Sequence, residues 1–338
     1  MPFHWPLIGH RHIKQYFEKA FAAGRINHAY LFEGPEQVGK FTFAKMLAQT
    51  LFCEGEVSEA RPCGNCRACA AYLTGAHPDY FELRPEADAG SISILAIREC
   101  IKALRTMPLL SRYKIGIIEE AALLTQEAAN ALLKTLEEPG AHVILFLITA
   151  KTVLPTIASR LQRIRFNFVP ASEIESGLSP LGIKSEIAQL AQGRVGLAMR
   201  FNEAAEYREY AARIKDLFNL CKSDEAAQVE LLAREFSRKG DTAKERRDEL
   251  RAKLRLAEAL VRDRVFVKCG LGEYIQHRFL KDDLTKNTQD KNVPSLCAML
   301  KRIEQSFMML DSNVDPRIVA EYVFLGEGIN LPRQFAQL

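Results

Sequence analysis

The sequence predicts an α/β domain with a parallel sheet, followed by an all-helical remainder. Residues 114–118 and 142–148 are continuous aliphatic runs, which are typical of strands buried on both faces of a parallel sheet. A glycine-containing loop at 34–40 joins a third apolar run to a helical pattern. Strand-like runs nearly disappear after residue 170. Strands that alternate with helices, and then give way to helices alone, indicate this arrangement.

The elements expected in the first half alternate along the chain. In order they are a strand at 28–33, a helix at 41–51, a strand at 114–118, a helix at 128–138, a strand at 142–148 and a strand at 166–169. Pro139-Gly140 ends the second helix, because proline cannot continue a helix and glycine favours its end. Pro170 marks the exit from the last strand.

The second half is expected to be helical. Residues 185–201 fit two short helices broken at Gly193 and Gly196, and a long charged amphipathic stretch runs from Ala226 to Val267. A chain of 338 residues is longer than a single hydrophobic core usually grows. We therefore expect two or three domains.

Composition and charge restrict the class of protein. The hydrophobic fraction of 48% and the charged fraction of 26% are ordinary for a globular protein, and no run is long enough for a membrane-spanning helix. Residues 1–6 lack the pattern of a signal peptide, so we expect a cytoplasmic location and no membrane partner. The net charge of +4 is mild, and the basic residues at 244–255 alternate with acidic ones, which favours a solvated helix face over a phosphate-binding stripe.

The loop Gly34-Pro35-Glu36-Gln37-Val38-Gly39-Lys40 matches the G-x-x-x-x-G-K pattern of a P-loop. Glycines let backbone N–H groups curl around phosphate, the lysine reaches the β- and γ-phosphates, and the helix N-terminus supplies partial positive charge. The predicted strand before the loop and the predicted helix after it are the context that this motif requires. A simple turn is the alternative interpretation.

The metal-binding part of this predicted site is altered. Phe41 stands where a hydroxyl should follow the lysine and bind Mg²⁺, and Thr42 comes one position late, about 100° further around the helix. Glu119 and Glu120 stand where an ATPase carries Asp and a catalytic Glu, and the longer Glu119 side chain disturbs an octahedral Mg²⁺ shell. We expect weak or absent hydrolysis, and whether ATP or ADP binds at Lys40 stays open.

Four of the eight cysteines, Cys53, Cys63, Cys66 and Cys69, lie close together in the sequence. Thiolates in C-x-x-C turns are typical ligands of tetrahedral Zn²⁺, so we predict a closed, structural zinc module at 53–69. An iron–sulfur cluster and a redox pair are the alternatives. His77 is expected to shape a turn and not to bind the metal. The remaining cysteines are predicted to be small buried hydrophobic residues: Cys100, Cys221, Cys269 and Cys297.

Together these motifs resemble the clamp-loader branch of the AAA+ ATPases. The resemblance covers about the first 200 residues and rests on Ile8-Gly9-His10, the P-loop, the inserted cysteine module and the string Leu132-Leu133-Lys134-Thr135-Leu136-Glu137-Glu138-Pro139. It implies an α/β AAA+ core at 1–168, a small helical lid at 169–205 and an all-α C-terminal collar domain at 206–338 that joins other subunits.

Within that family, the sequence is more similar to the delta-prime subunits than to the ATP-hydrolysing motor subunits. The strings at 76–80 and 121–125 carry this similarity. Motor subunits have an arginine in the lid that contacts the γ-phosphate, and here Gly196 stands at its position. The resemblance therefore implies a subunit with little or no hydrolysis of its own.

One catalytic element of the family is kept. Ser159-Arg160 matches a Ser-Arg-Cys motif whose arginine reaches the ATP site of the neighbouring subunit, with Leu161 in place of the cysteine. A guanidinium is always charged and binds phosphate oxygens with paired donors, so Arg160 could act as an arginine finger. The alternative interpretation is a surface arginine in an ion pair.

The resemblance also implies partners. It predicts motor (gamma/tau) and delta subunits as neighbours in a pentameric ring, with the sliding clamp and primed DNA as the targets of that ring in replication. Arg160 would then complete the ATP site of an adjacent motor subunit. Two alternatives stay open: an active ATPase, either a motor subunit or a self-sufficient enzyme, and a zinc-containing interaction protein of DNA repair.

Overall fold

The computed structural model describes residues 3–55, 60–85, 91–220, 242–287 and 292–325. The chain divides into two compact units, Met1–Met199 and Arg200–Leu338. Cys221 and the part of the predicted charged stretch before residue 242 lie outside the described residues.

The N-terminal unit is an α/β domain. Its helices and strands are, in chain order, α1 (Arg11–Ala22), β1 (Ala29–Glu33), α2 (Lys40–Phe52), α3 (Arg67–Leu73), β2 (Tyr80–Leu83), α4 (Ile94–Arg105), β3 (Lys114–Ile118), α5 (Gln126–Glu137), β4 (Val143–Thr149), α6 (Pro155–Ala158), β5 (Gln162–Arg165), α7 (Ala171–Leu178), α8 (Ser185–Leu190) and α9 (Val195–Phe201).

The strands of the described residues form one parallel sheet in the order β2-β3-β4-β1-β5. Strand β1 lies inside the sheet, with Tyr30 opposite Phe146 of β4. Its side chains alternate between two cores, because Tyr30 and Phe32 pack on one face of the sheet and Ala29 and Leu31 on the other. The predicted parallel α/β architecture is confirmed.

The prediction of a strand at 166–169 is wrong, because the last strand of the sheet is β5, at Gln162–Arg165. It lies at one edge of the sheet, where its polar and charged side chains are exposed and Ile164 is buried. An edge strand needs no continuous apolar run, so the apolar run that follows it misled the prediction. Phe166 extends the pairing by one hydrogen bond, in which its N–H donates to the carbonyl of Glu33 at 2.8 Å.

A buried carboxylate fixes the loop between α4 and β3. Asp79 is fully buried, and its oxygens accept hydrogen bonds from the backbone N–H groups of Leu109, Leu110 and Ser111 at 2.8–3.0 Å. The ammonium of Lys114, also buried, lies 3.8 Å from the same carboxylate. Burial by itself would raise the pKa of Asp79, but the three amides and Lys114 hold that pKa below its ordinary value.

Replacing Asp79 with asparagine is expected to destabilise the N-terminal unit by about 3–5 kcal/mol at pH 7. The new amide nitrogen would face backbone N–H donors, and Lys114 would lose its carboxylate partner. Because the folded-state pKa of Asp79 is lowered, the advantage of the wild type is complete above the unfolded-state pKa of about 3.9. It disappears as the pH falls through the folded-state pKa.

Urea unfolding of the wild type, Asp79→Asn and Glu99→Gln measures this difference. Glu99 is exposed on α4, so its variant is a control for the loss of one negative charge. Equal stabilities of the two variants would contradict the role assigned to the Asp79 carboxylate.

Residues 169–198 form a small helical cluster within the N-terminal unit, in which α7, α8 and α9 share one apolar core. The break predicted at Gly193 is confirmed, because Gly193 lies between α8 and α9 with φ +81°. The break predicted at Gly196 is wrong, because Gly196 is the second residue of α9. The boundaries 1–168 and 169–205 stay a prediction.

The described residues of the C-terminal unit contain helices and no strand. The helices are α10 (Ala204–Leu220), α11 (Ala243–Lys268), α12 (Lys281–Asn287), α13 (Val293–Asp311) and α14 (Pro316–Leu325). A capping box between Thr242 and Glu245 fixes the start of α11. None of the helices in the described parts of the chain is both long enough and apolar enough to cross a membrane.

Two of the cysteines predicted to be buried are exposed. Cys100 is buried in α4, but Cys269 and Cys297 are exposed. Cys269 lies at the C-cap of α11, and Cys297 lies on a solvent-facing side of α13. Burial of a cysteine depends on the helix face that carries it, and the residue type alone does not specify that face.

Candidate functional site

The P-loop joins the carboxyl end of β1 to the first turn of α2. Gly34 has φ +140°, and a Cβ at this position would lie 2.1 Å from the carbonyl oxygen of Phe166, so a side chain would displace the backbone. Gly39 has φ +101° and is the N-cap residue of α2. The loop therefore has the strand–loop–helix geometry in which backbone amides bind phosphate.

Lys40 is buried at the start of α2 and turns back onto the loop. Its ammonium donates to the carbonyl oxygens of Gly34, at 2.7 Å, and of Pro35. Burial lowers the pKa of Lys40, and nearby carboxylates, first among them that of Glu120, oppose this shift. The positive charge is thus held beside the loop amides, where a P-loop binds phosphate.

A cavity of about 630 Å³ lies against the loop, a volume that suits a ligand of nucleotide size. The predicted site residues that line it are Gly39, Lys40, Phe41, Thr42, Glu119 and Glu120. Residues 6–8 and the helices α7 and α9 supply other walls. Gly34 lines a neighbouring cavity instead. The structure therefore brings the two separate sequence motifs together around one space.

An exposed arginine lies beside both Phe41 and Glu119. Arg84 follows β2, and its Nε donates to Glu82 Oε1 at 2.7 Å and lies 3.2 Å from Glu119 Oε2. The same guanidinium lies over the ring of Phe41, 5.1 Å from the ring centroid, and Lys45 Nζ lies 5.3 Å from that centroid. Mg²⁺ requires oxygen ligands at about 2.0–2.1 Å in an octahedral shell. An aromatic ring and a carboxylate already paired with a guanidinium do not fit that requirement.

Glu120 faces the cavity from the end of β3. Its backbone is left-handed, with φ +52°, and burial raises the pKa of its carboxyl while Lys40 opposes this shift. The loop amides and Lys40 could hold a phosphate group in this cavity.

The first turn of α9 approaches the P-loop directly. Gly196 donates its N–H to the carbonyl of Gln37 at 2.8 Å, and a Cβ at Gly196 would lie 3.2 Å from that oxygen. Position 196 thus contacts the loop through the backbone and without a charged side chain. Arg194, two positions earlier, lies over the ring of Phe168, 5.8 Å from its centroid.

Arg160 lies between α6 and β5, and neither it nor Ser159 lines the P-loop cavity of this chain. Its Nε donates to Glu137 Oε1 at 2.8 Å, and Nη2 donates to the same oxygen. Nη1 donates to the carbonyl of Thr156 at 2.8 Å and to Ser159 Oγ at 3.3 Å. Arg160 therefore makes several hydrogen bonds within the chain while 36% of its side chain stays exposed.

The four predicted cysteine ligands converge between α2 and α3. The Sγ atoms of Cys53, Cys63, Cys66 and Cys69 all lie within 4.8 Å of one another. Zn²⁺ with Zn–S distances of about 2.3 Å holds its four sulfur atoms about 3.8 Å apart, so small movements would complete such a shell. The cluster could therefore hold a metal ion.

Backbone amides favour thiolates in this cluster. The N–H of Cys63 donates to Cys53 Sγ at 3.3 Å, and the N–H of Cys69 donates to Cys66 Sγ at 3.4 Å. Hydrogen bonds, first from the backbone of Cys66, lower the pKa of Cys63 to about 7, whereas burial raises the pKa of Cys53 and Cys69. A bound cation would deprotonate the buried thiols, so the donor set fits a closed four-sulfur metal site.

Two side chains at these sites are not predicted from the sequence. Arg84 follows a strand that the sequence pattern does not indicate, so nothing placed it beside Glu119. Glu137 belongs to the string at 132–139, which carries a resemblance but no assigned role. His77 shapes a turn as expected, because its Nδ1 accepts a hydrogen bond from the N–H of Asp79 at 3.2 Å.

The fold and the cavity define the class of protein, a parallel α/β domain with a P-loop-like strand–loop–helix segment beside a cavity of nucleotide size. Residues 9–170 match the family described as DNA polymerase III, delta subunit. This segment, just under half of the chain, relates it to the clamp-loader subunits of DNA polymerase III.

Curated relatives match segments of 149 to 202 residues of the chain. DNA polymerase III subunit delta' of Bacillus subtilis is 35% identical over 202 residues, which is 58% of this chain and 60% of that protein. Subunit delta' of Escherichia coli is 38% identical over 149 residues, 43% of this chain and 44% of that protein. Subunit gamma/tau of Mycobacterium tuberculosis is 38% identical over 168 residues, 48% of this chain and 28% of that protein. The chain thus spans less than two thirds of each relative.

The solved structures that match the chain are distant from it in sequence. A DNA polymerase III gamma subunit-related protein of Thermotoga maritima is 21% identical, with a TM-score of 0.36, covering 91% of this chain and 97% of that one. The DNA clamp loader delta protein of Bacillus subtilis is 11% identical, with a TM-score of 0.31, covering 92% of this chain and 98% of that one.

Proposed function

We propose that this chain is a delta-prime-like stator of the DNA polymerase III clamp loader. It would assemble with motor (gamma/tau) and delta subunits and hydrolyse little or no ATP itself. Arg160 would act as an arginine finger at the ATP site of an adjacent motor subunit, while Ser159 helps to hold it. The complex would open the sliding clamp and place it on primed DNA.

The contrast between two sites carries this proposal. In the chain's own cavity, Phe41 and Glu119 stand at the metal-binding positions, and both contact the guanidinium of Arg84. Outside that cavity, Arg160 is accessible and held in one orientation. Loss of the chain's own metal site, together with an ordered arginine elsewhere on the surface, supports a subunit that completes a neighbour's site.

Two bound groups are part of the proposal. A structural Zn²⁺ held by the four clustered cysteines would fix the segment between α2 and α3, and a closed sulfur shell leaves no open position for catalysis. The retained loop amides and Lys40 are compatible with ATP or ADP binding without hydrolysis. Neither group would do chemistry in this subunit.

The chain is expected to elute as one complex with the gamma/tau and delta subunits of its own organism in size-exclusion chromatography. The isolated chain is expected to show no Mg²⁺-stimulated ATP hydrolysis above background, because both metal-ligand positions are altered. Turnover by the isolated chain would instead support an active ATPase. Failure to assemble with either subunit would contradict the stator role and favour an interaction protein of another process.

A further inference from the structure

Glu137, the last residue of α5, holds one edge of the Arg160 guanidinium. Its Oε1 accepts hydrogen bonds from Nε, at 2.8 Å, and from Nη2. Both donors lie on the same edge of a planar group, so this contact fixes the direction of the guanidinium plane.

The segment around α6 holds the opposite end of the guanidinium. Nη1 donates to the carbonyl of Thr156 at 2.8 Å and to Ser159 Oγ at 3.3 Å, and Ser159 Oγ donates to the same carbonyl at 3.1 Å. These contacts leave the outward N–H of Nη2 for a ligand. The longest of them, to Ser159 Oγ, is the one that a phosphate oxygen would replace with least rearrangement.

We propose that Glu137 is a positioning residue, which orients Arg160 toward the phosphate of a nucleotide bound by a neighbouring subunit. This inference rests on the proposed function. A free arginine side chain has many rotamers, and binding a phosphate would have to order it. The contact with Glu137 orders the side chain beforehand, so the guanidinium reaches its ligand in a fixed geometry.

Because the side chains of Arg160 and Glu137 are exposed, a positioning role of Glu137 can be distinguished from a purely structural one. The side chains of Arg160 and Glu137 are 36% and 49% exposed, and ion pairs this exposed contribute little to folding stability. Loss of the Glu137 charge should therefore leave the unfolding midpoint unchanged and alter the reaction of the neighbour. Glu138 is exposed and forms no ion pair among the described residues, so it offers a matched control one position away.

Glu137→Gln tests the proposal in the complex of this chain with gamma/tau and delta subunits. We expect kcat for ATP to fall about tenfold and KM to change less than about twofold, because misplacing a group that acts in the transition state lowers the rate more than it weakens binding. Glu138→Gln should match the wild type. Since Glu137 acts through Arg160, the double variant Glu137→Gln/Arg160→Ala should equal Arg160→Ala alone.

Two outcomes would overturn the positioning role. One is an unchanged kcat for Glu137→Gln in a complex that Arg160→Ala does slow. The other is full additivity of the two substitutions, which would mean that Glu137 acts independently of Arg160.

A measurement on the isolated chain distinguishes failure of this inference from failure of the proposed function. In nitrogen NMR spectra, the Arg160 Nε–H signal, assigned by its loss in Arg160→Ala, should exchange slowly with water in the wild type and quickly in Glu137→Gln. If it does so while Arg160→Ala leaves the complex unaffected, the proposed function fails. If the wild-type signal exchanges quickly, the positioning role of Glu137 fails and the proposed function stands.

Discussion

Replacing Arg160 with alanine is expected to lower ATP hydrolysis by the assembled complex about 10³-fold, since arginine fingers contribute about 10³–10⁵ to the rate in other phosphoryl-transfer enzymes. Negative charge develops on the transferred phosphoryl group, and an ordered guanidinium stabilises it without reorganisation during the reaction. The side chain of Arg160 is held at both ends and accessible at its tip. Steady-state hydrolysis and clamp loading on primed DNA would measure the effect.

Arg163→Ala is the matched control for this prediction. Arg163 is an exposed arginine three positions away on β5, where it pairs with Glu33 at 2.8 Å. Its loss removes the same charge from the same surface and should leave hydrolysis unchanged. Arg160→Lys should not restore the rate, because an ammonium lacks the paired donors of a guanidinium. An unaffected Arg160→Ala complex would show that the residue is a surface ion-pair arginine.

The interior of the N-terminal unit follows from local patterns. Strands β3 and β4 are buried at every position, and their continuous aliphatic runs mark them without ambiguity. The P-loop and the cysteine module are also local, because their residues are close in sequence and reach one another through short turns. For these features, sequence spacing determines spatial proximity.

The features that the sequence does not predict depend on the pairing of strands that are far apart in the chain. Strand β2 pairs with β3 in a register that places Leu83 opposite Ile118, and this register puts Arg84 beside Glu119. Half-buried strands such as β2 and edge strands such as β5 lack the continuous apolar signal, so neither they nor their register could be predicted. The contact between Arg84 and Glu119 therefore becomes visible only in the folded sheet.

Position 196, in the first turn of α9, shows a related limit. The sequence places Gly196 where an arginine would be expected, but it gives no reason for a glycine there. In the structure, its backbone N–H bonds Gln37 of the P-loop. The backbone of α9 approaches the P-loop closely at this position. A glycine at 196 therefore has a role in packing, in addition to lacking a charged side chain.

Purified chain is expected to contain about one equivalent of Zn²⁺, and Cys69→Ser is expected to lose it. We expect this variant to be destabilised by at least about 4 kcal/mol, a fraction of the roughly 10–16 kcal/mol that zinc gives small zinc-finger peptides, because the sheet supports the rest of the unit. Cys69 is fully buried in α3, and burial raises its pKa, so without a cation the thiol stays protonated. Metal analysis and thermal unfolding, with and without a chelator, measure both effects.

Cys297→Ser removes one thiol from an exposed position outside the cluster and should keep both the zinc and the stability. The comparison matters because the four sulfur atoms lie close enough for a metal shell but also for neutral thiols packed together. If the four thiols are only packed together without a metal, a chelator should not reproduce the destabilisation caused by Cys69→Ser. Less than about half an equivalent of zinc without chelator treatment would contradict a closed site with four thiolate ligands, and iron in its place would support the iron–sulfur alternative.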